Sequence, residues 1–547
     1  MIHQAESILN LPRLTVRNRQ LYDLEQIMVE GFLPLRGFMN EEDYMRVVQD
    51  MRLVSGELFP IPVVLDVQSS TTFAVGDRVV LCDEYGNPLA VMNIESRFMP
   101  DKEREAKCVY GTTSLAHPGV RYLMTKMHDT YIGGQVEVLS LPAAYDFKEH
   151  RFTPKELKER FKSKGWDNVV AFQTRNPMHK AHFELVKNAH KETGYPVLIH
   201  PVVGMTKEGD IDYITRVRTY KVVNDMYGKD FTDLALLPLA MRMAGPREIL
   251  WHMIIRKNYG CTHMICGRDH AGPGRDENGI DFYGKYEARD IALTHAKEIG
   301  IDIVQSYELA YSKKRDAYVS THKLETGEET EEISGTEFRR RLFAGEEIPD
   351  WFTFQENIDV LQKGAAKQKR SGVTLFLTGL SGAGKSTIAN ILYAKLLELQ
   401  DRGVTLLDGD IIRNHLTSEL GFSKEDRHLN VSRVGYVASE ITKHGGIAIC
   451  SMIAPYQHSR DTAREMVEQH GTFIEIHVAT PLEVCEMRDS KGLYKKARAG
   501  EIKMFTGVSD PYEIPANPEL VLNGGTVAPD ALANQVIVRI QSLRLLD

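Results

Sequence analysis

Residues 379–387 read Gly-Leu-Ser-Gly-Ala-Gly-Lys-Ser-Thr, a complete G-x-x-x-x-G-K-[S/T] run, and no other stretch constrains the fold as tightly. Before it, Val373-Thr374-Leu375-Phe376-Leu377 has the apolar, β-rich make-up of a buried strand. After it, Ile388-Ala389-Asn390-Ile391-Leu392 begins a helix-forming segment. Strand, glycine loop and helix in that order build a parallel α/β sheet with a phosphate cradle at a strand end. Gly379, Gly382 and Gly384 permit the tight turn that aims backbone N–H groups at phosphate oxygens, and Leu380, Ser381, Ala383 and Thr387 complete the loop. Lys385 reaches the outer phosphates, and Ser386 offers an oxygen to a bridging Mg²⁺. A glycine turn that merely caps a helix is the bland reading; a full match between strand and helix argues against it. A nucleoside triphosphate is the expected ligand here.

At 547 residues the chain is long enough for three or four domains, each with its own core. Lys plus Arg number 67 against 75 Asp plus Glu, so the net charge of −8 carries no sign of a nucleic-acid footprint. Cys82, Cys108, Cys261, Cys266, Cys450 and Cys485 form no C-x-x-C pair and no zinc spacing, so no zinc is expected and reduced thiols are. The opening Met-Ile-His-Gln-Ala-Glu lacks the basic-then-apolar order of a signal peptide, and no apolar run approaches a membrane span. A cytoplasmic protein without membrane or nucleic-acid partners is the expectation.

Residues 1–150 alternate short apolar runs with turn residues. Phe59–Leu65 is expected as a strand, and Arg78–Cys82 with Leu89–Met92 as a hairpin about Tyr85-Gly86-Asn87-Pro88. Val136–Leu139 is a further strand. A β-rich domain follows, with no catalytic constellation. Asp23-Leu24-Glu25 and the run Gly31-Phe32-Leu33-Pro34-Leu35-Arg36-Gly37-Phe38-Met39 are more distinctive than their chemistry explains.

Over 151–355 the pattern turns to alternating helix and strand. Thr153-Pro154-Lys155-Glu156 is a capping box with proline at the first helical position. Val169–Phe172, Val197–His200, Leu234–Leu237 and His263–Cys266 read as strands, with helices after the first and from about Tyr213 to Met226. Such a parallel sheet binds ligands beyond the carboxyl ends of its strands. Two of those ends are polar: Gln173-Thr174-Arg175-Asn176-Pro177-Met178-His179-Lys180-Ala181-His182, and Gly267-Arg268-Asp269-His270-Ala271-Gly272-Pro273-Gly274. His179 and His182 share a helix face with Arg175 nearby, an arrangement suited to a polyphosphate; Gln173 and Arg175 suit a second oxyanion. A metal is the rival use of H-x-x-H, ranked lower because no third ligand is nearby.

These two runs, with Met241-Arg242-Met243-Ala244-Gly245-Pro246-Arg247-Glu248 and Ile333-Ser334-Gly335-Thr336-Glu337, resemble ATP sulfurylase. The run 31–39 is similar to that family's N-terminal, PUA-like β-domain. The resemblance covers roughly 1–355 and implies a Rossmann-like nucleotidylyltransferase domain in which sulfate attacks the α-phosphorus of ATP, giving adenosine 5′-phosphosulfate (APS) and diphosphate. It implies sulfate at Gln173, Arg175 and Ala271, and ATP at Gln173, Thr174, Arg175, Asn176, Gly267, Arg268, Asp269 and His270. By the same matching, His179 and His182 stabilise charge on the phosphates, with Thr174, Arg175 and Asn176 in the catalytic set. Positioning and aimed donors suffice for this chemistry. No covalent nucleophile is needed, and neither Cys261 nor Cys266 lies in a motif.

Residues 356–371 are expected as a linker, on the polar, basic, small-residue run from Gln362 to Gly372. Beyond the phosphate loop, the strand Val404–Leu407 ends in Asp408-Gly409-Asp410, with Arg413 close behind; Ile447–Cys450 and Phe473–Ile476 are further buried strands. Asp410 is placed to influence Mg²⁺ or an attacking hydroxyl.

The stretch 372–547 resembles adenylylsulfate kinase through Leu407–Arg413, Gly421–Arg427, Lys491–Arg498 and Phe505-Thr506-Gly507. That implies a P-loop kinase domain with a parallel sheet, moving the γ-phosphate of a second ATP to the 3′-hydroxyl of APS to give 3′-phospho-APS (PAPS). It implies catalysis by Lys385 and Asp410, Mg²⁺ on Ser386 and Asp410, and APS held by Asp408, Arg413, Phe422, Arg427, Asn430 and Phe505, the two phenylalanines enclosing adenine. Residues 491–498 become a mobile lid. Two positions depart from the family: Ile411 where Asn is usual, and Ala454 in place of a phosphorylatable serine. Ser451, three residues earlier on a presumed strand, reads as misplaced for that role. The whole chain thus reads as an α/β multidomain enzyme of two-step sulfate activation, expected to be a homo-oligomer. The alternative is a sulfurylase whose kinase-like domain only senses APS or PAPS; intact Lys385, Ser386, Asp410 and Arg413 weigh against it.

Overall fold

The computed structural model describes residues 8, 10–206, 211, 213–344, 346–365, 372–399, 402–489, 491–543, 545 and 546. It divides into two compact units. The first comprises 1–83, 88–142 and 149–365, the second 84–87, 143–148 and 366–547.

The first unit opens with a seven-stranded sheet: β1 (Arg13–Thr15), β2 (Gly37–Phe38), β3 (Leu65–Val67), β4 (Arg78–Cys82), β5 (Pro88–Asn93), β6 (Ser96–Phe98) and β7 (Thr130–Val138). The expected hairpin is β4–β5, antiparallel in register. The nine-residue β7 is the spine and pairs antiparallel with β2, β3, β5 and β6. So many neighbours crowd it at Gly133 and Gly134, where an added Cβ would lie 2.0 Å from Met39 O and 1.8 Å from Asn93 O. The strand expected over Phe59–Leu65 starts only at Leu65. Pro60 and Pro62 have no N–H to give a ladder, so this buried stretch joins the sheet only after it passes them.

A five-stranded parallel sheet follows: β8 (Val170–Phe172), β9 (Val197–Ile199), β10 (Thr232–Leu234), β11 (His263–Cys266) and β12 (Asp302–Gln305). The spatial order is β10-β9-β8-β11-β12. Chain order reverses between β8 and β11, which opens the crevice where such sheets take their ligands. The strand expected over Leu234–Leu237 ends at Leu234, and only single bridges continue it at Leu236 and Leu237. The capping box forms as read, Thr153 Oγ1 accepting from Glu156 N at 3.3 Å and Glu156 Oε2 from Thr153 N at 2.8 Å. A small antiparallel sheet, β13 (Leu309–Ser312), β14 (Ala317–Ser320) and β15 (Thr330–Glu331), precedes two helices, Gly335–Ala344 and Gln355–Ala365.

The second of those helices corrects the linker expected over 356–371. Ile358 and Leu361 bury against Phe338 and Phe352, so apolar burial orders what the polar run after 362 made look like a spacer. Residues 366–371 lie outside the described residues.

The second unit holds a parallel sheet of β16 (Gly372–Thr378), β17 (Val404–Asp408), β18 (Ile447–Ser451), β19 (Gly471–Val478) and β20 (Leu520–Leu522), ordered β17-β18-β16-β19-β20. Strand alternation splits its core over two faces. Leu375, Leu377, Ile449 and Ile474 pack on one side, Phe376, Ala448, Cys450 and Phe473 on the other. Among the described residues no helix is long and apolar enough to cross a membrane.

Candidate active sites

In the first unit, three motifs converge on the β8/β11 crevice. The 173–182 loop leaves β8, the 267–274 loop leaves β11, and Ala271 O accepts the N–H of Gly245 at 3.3 Å, which brings in the 241–248 run. Gln173 Nε2 lies 3.9 Å from Met241 Sδ, and Gln173 Oε1 is buried without a partner. Met243, Asp269 and Ala271 all have φ above +50°. Three left-handed, non-glycine residues in two facing loops mark strain concentrated at the crevice.

The 173–182 loop hangs from the helix Tyr213–Val222. Arg216, 2% exposed, donates Nη1 to Arg175 O at 2.7 Å; Thr219 Oγ1 accepts from Met178 N at 3.2 Å; Tyr220 OH donates to Asn176 O at 2.8 Å. Within the loop, Thr174 Oγ1 accepts from Asn176 N at 3.1 Å. Residues C-terminal to the small sheet brace the other end: Asn357 Nδ2 donates to Met178 O at 2.7 Å, and Phe352 stacks on His179 with centroids 4.8 Å apart. The His179 and His182 rings sit 3.9 Å apart, each with a buried, unpartnered Nδ1. Burial pushes both down, His182 to about 4 and His179 well below the imidazole range with His182 adding to the effect. They are neutral near pH 7 and have hydrogen-bonding capacity to spare. Arg268 pairs with Glu308, and Asp269 N donates to Lys285 O at 3.1 Å, so the second loop is tied on its far side too.

In the second unit, β16 delivers the glycine loop as expected. Gly379 has φ +154° and Gly384 +100°, and a Cβ on Gly379 would lie 2.7 Å from Val478 O. Later elements hold the loop: Thr480 Oγ1 donates to Ala383 O, Tyr494 OH to Ser381 O and Arg488 Nη1 to Gly382 O. Lys385 is 8% exposed and folds back on the loop, Nζ donating to Leu380 O at 2.8 Å. Burial lowers it to about 8, against the pull of Asp408. Thr387, on the first helical turn, is exposed.

Asp408, at the end of β17, accepts the Ser386 hydroxyl on Oδ2 at 2.6 Å and the Asp410 N–H on Oδ1 at 3.0 Å. Asp410 is paired with Lys491 of the basic run. Asp408 thus stands nearer the Ser386 oxygen than the sequence reading, which favoured Asp410, had it. Ser451 is not displaced from the cradle: β17 and β18 pair Asp408 with Ser451, whose Oγ lies 3.3 Å from Ser386 Oγ. Ala454 is buried, with φ +42°.

The residues expected to hold APS gather beside this cradle. Arg413 lies over the Phe422 ring at 4.3 Å and Arg427 at 5.6 Å. Arg427 donates Nη2 to Met504 O at 2.7 Å, which brings Phe505 alongside, and Asn430 Oδ1 accepts from Thr417 at 2.7 Å. Phe422 is 54% exposed whereas Phe505 is 9% exposed and packs edge-on against Tyr494.

Comparison with known proteins decides the family. The PUA-like domain profile matches residues 2–141, the ATP-sulfurylase profile 148–364 and the adenylylsulphate kinase profile 371–523. The sulfate adenylyltransferase of Chaetomium globosum is 48% identical over 542 residues, 98% of this chain and 94% of the relative. The chain belongs to the sulfate adenylyltransferase family. That of Mycosarcoma maydis is 46% identical over 544 residues, 98% of this chain and 95% of its own. Among solved structures, one described as a hexameric APS kinase from Thiobacillus denitrificans aligns over 99% of this chain and 96% of that one, with a TM-score of 0.57 and 32% identity.

The chain carries both steps of sulfate activation. ATP and sulfate give APS and diphosphate, then APS and ATP give PAPS and ADP. Sequence reasoning named the loops that meet at the crevice and the cradle but missed what supports them. Arg216, Thr219 and Tyr220 share one helix face, and their polarity inside a helix otherwise rich in buried positions was the available signal. Nothing local to Asn357 announced its role.

Proposed function

We propose that the two reactions are divided between the two units, with the β8/β11 crevice transferring adenylyl and the glycine-loop cradle transferring phosphoryl. The convergence of 173–182, 241–248 and 267–274 at a strand-order reversal carries the first half of this reading. Gln173 and Arg175 hold sulfate beside Ala271. Thr174, Asn176 and the run Gly267-Arg268-Asp269-His270 bound the ATP. A sulfate oxygen attacks the α-phosphorus in line as the bond to diphosphate breaks, and His179 and His182 donate to phosphate oxygens on which charge builds. A neutral imidazole has one N–H to give, so low proton affinity does not hinder this role. Domain borders near 150 and 372 fit this division.

In the second unit, the loop 379–387 takes the phosphates of ATP, and Lys385 leaves Leu380 O for them. Arg413, Arg427 and Asn430 hold the APS anion, with Asp408 at its edge, and Phe422 and Phe505 flank adenine. Asp410 takes the proton of the 3′-hydroxyl as that oxygen attacks the γ-phosphorus, once Lys491 has moved aside. Asp408 and Ser451 set oxygens about the Ser386 hydroxyl, with Asp410 tied to Asp408 through its backbone N–H, and oxygen donors are what Mg²⁺ prefers. When bound there with ATP, Mg²⁺ neutralises phosphate charge.

A homo-oligomer belongs to this reading, supported by the hexameric relative. So does a cytoplasmic setting, supported by six free thiols. The test supplies ATP, Mg²⁺ and sulfate with an inorganic pyrophosphatase to the purified protein and identifies the nucleotides formed. APS and PAPS are both expected. APS alone, with no phosphorylation of added APS, would give the second unit a binding role instead.

A further inference from the structure

Beneath the 267–274 loop lies a buried polar row that none of the roles above uses. Glu248, His252 and Arg256 follow at one-turn intervals on the helix Gly245–Asn258, and all are 0% exposed. Glu248 accepts the N–H of Arg242 on Oε1 at 2.9 Å and that of Ala244 on Oε2 at 2.8 Å. Its Oε1 is 3.4 Å from His252 Nε2, and His252 Nδ1 is 2.9 Å from His270 Nε2. One carboxylate therefore clamps the 241–248 run and, through one imidazole, reaches the 267–274 loop.

The proton positions follow from that geometry. A lone pair on His252 Nε2 would face a carboxylate oxygen between two fully buried side chains, so Nε2 carries the hydrogen. His252 Nδ1 is then an acceptor, and His270 Nε2 must be the donor to it. We propose that Glu248 and His252 are positioning residues that lock His270 as its Nε2–H tautomer, so that it meets the nucleotide with Nδ1, a neutral acceptor. Burial alone would raise Glu248, but its contacts with His252 and the two backbone N–H groups bring it below the usual carboxylate range. Burial holds His252 below the imidazole range against the pull of Glu248, and the Arg256 guanidinium works in the same direction as burial. The inference rests on the reading of 267–270 as part of the nucleotide site.

A neutron structure of the unmodified, full-length protein tests it directly. Deuterium is expected on Nε2 of both His252 and His270 and on neither Nδ1; deuterium on His270 Nδ1 overturns the proposal, whatever any variant does to folding. In APS formation, His252→Leu should raise KM for ATP about 10–100-fold, the usual cost of losing an orienting partner, with kcat and KM for sulfate within about threefold. His252→Asn, whose carbonyl replaces the Nδ1 acceptor, should recover most of that loss. An unchanged KM for ATP in His252→Leu refutes the lock. If His270→Leu also leaves it unchanged, the nucleotide assignment of the loop is what fails.

Discussion

Ser386 donates its hydroxyl to Asp408 at 2.6 Å, across the gap between the first helical turn after β16 and the end of β17. Loop and neighbouring strand are thereby joined at the point where Mg²⁺ would sit, and Ser451 stands behind them. Asp408→Ala should lower APS phosphorylation about 10²–10³-fold, the scale of one preorganised electrostatic partner, and leave APS formation intact. Coupled assays of each half-reaction check this. An unaffected kinase step would move the metal away from Asp408.

Arg175→Ala or His182→Ala should abolish APS formation by a similar factor while phosphorylation of added APS continues, since the two sites belong to separate units. Near-normal sulfate activation in either variant would remove the polyphosphate from this loop.

Lys385 offers a proton-linked test. Held at about 8 by burial, it is largely neutral at pH 8.5 in the free protein. An arriving triphosphate favours the charged form, so ATP binding should draw a fraction of a proton onto Lys385 at that pH and scarcely any at pH 6.5. For folding the sign is the reverse of a salt bridge: the penalty is fully present below pH 8 and fades as pH rises toward the unfolded value. Calorimetry in buffers of different ionisation enthalpy reads the uptake. Lys385→Arg, charged throughout, should lose it; equal uptake in that variant would place the proton elsewhere. Lys385→Ala should stop PAPS formation and let APS accumulate.

Direct in-line phosphoryl transfer is expected in the second unit, with inversion at phosphorus. Ala454 puts a methyl group where the family's acceptor serine stands, and the Ser451 hydroxyl lies against Ser386. Rapid quench with γ-labelled ATP should find no label on protein; label on Ser451 that chases into product at the turnover rate would refute this.

Asp23 and Arg242 form an ion pair at 2.5 Å with both side chains almost wholly buried. Asp23→Ala should therefore destabilise the first unit by about 3–5 kcal/mol, because a buried guanidinium is left without its counter-charge. Denaturant unfolding followed by a probe in that unit measures it. A loss below about 1 kcal/mol would mean that water replaces the carboxylate.

Much of this was legible along the chain because the relevant physics is local. Strand, glycine loop and helix at 372–399 need neighbouring residues only, as does the capping box at Thr153. The crevice loops could be named because polar residues at two strand ends break an apolar pattern. The strand over Phe59–Leu65 was misread because apolar character outweighed the missing N–H groups of Pro60 and Pro62. The linker was misread because the burial of Ile358 and Leu361 depends on Phe338 and Phe352, which lie outside the window.

By itself the sequence determined which strand ends carry polar runs, which loop has the phosphate-binding pattern and that the chain joins two enzymatic domains. Backbone conformation and residue type decide those matters within a few positions of each other. Tertiary structure alone decided which acidic residue meets Ser386, that Ser451 stands beside it, and that Glu248 and His252 lie under His270. Those contacts join residues 22, 65 and 18 positions apart, and strand register and helix packing bring them together. A hydrogen bond needs its atoms within about 3 Å, a condition that spacing along a chain does not encode.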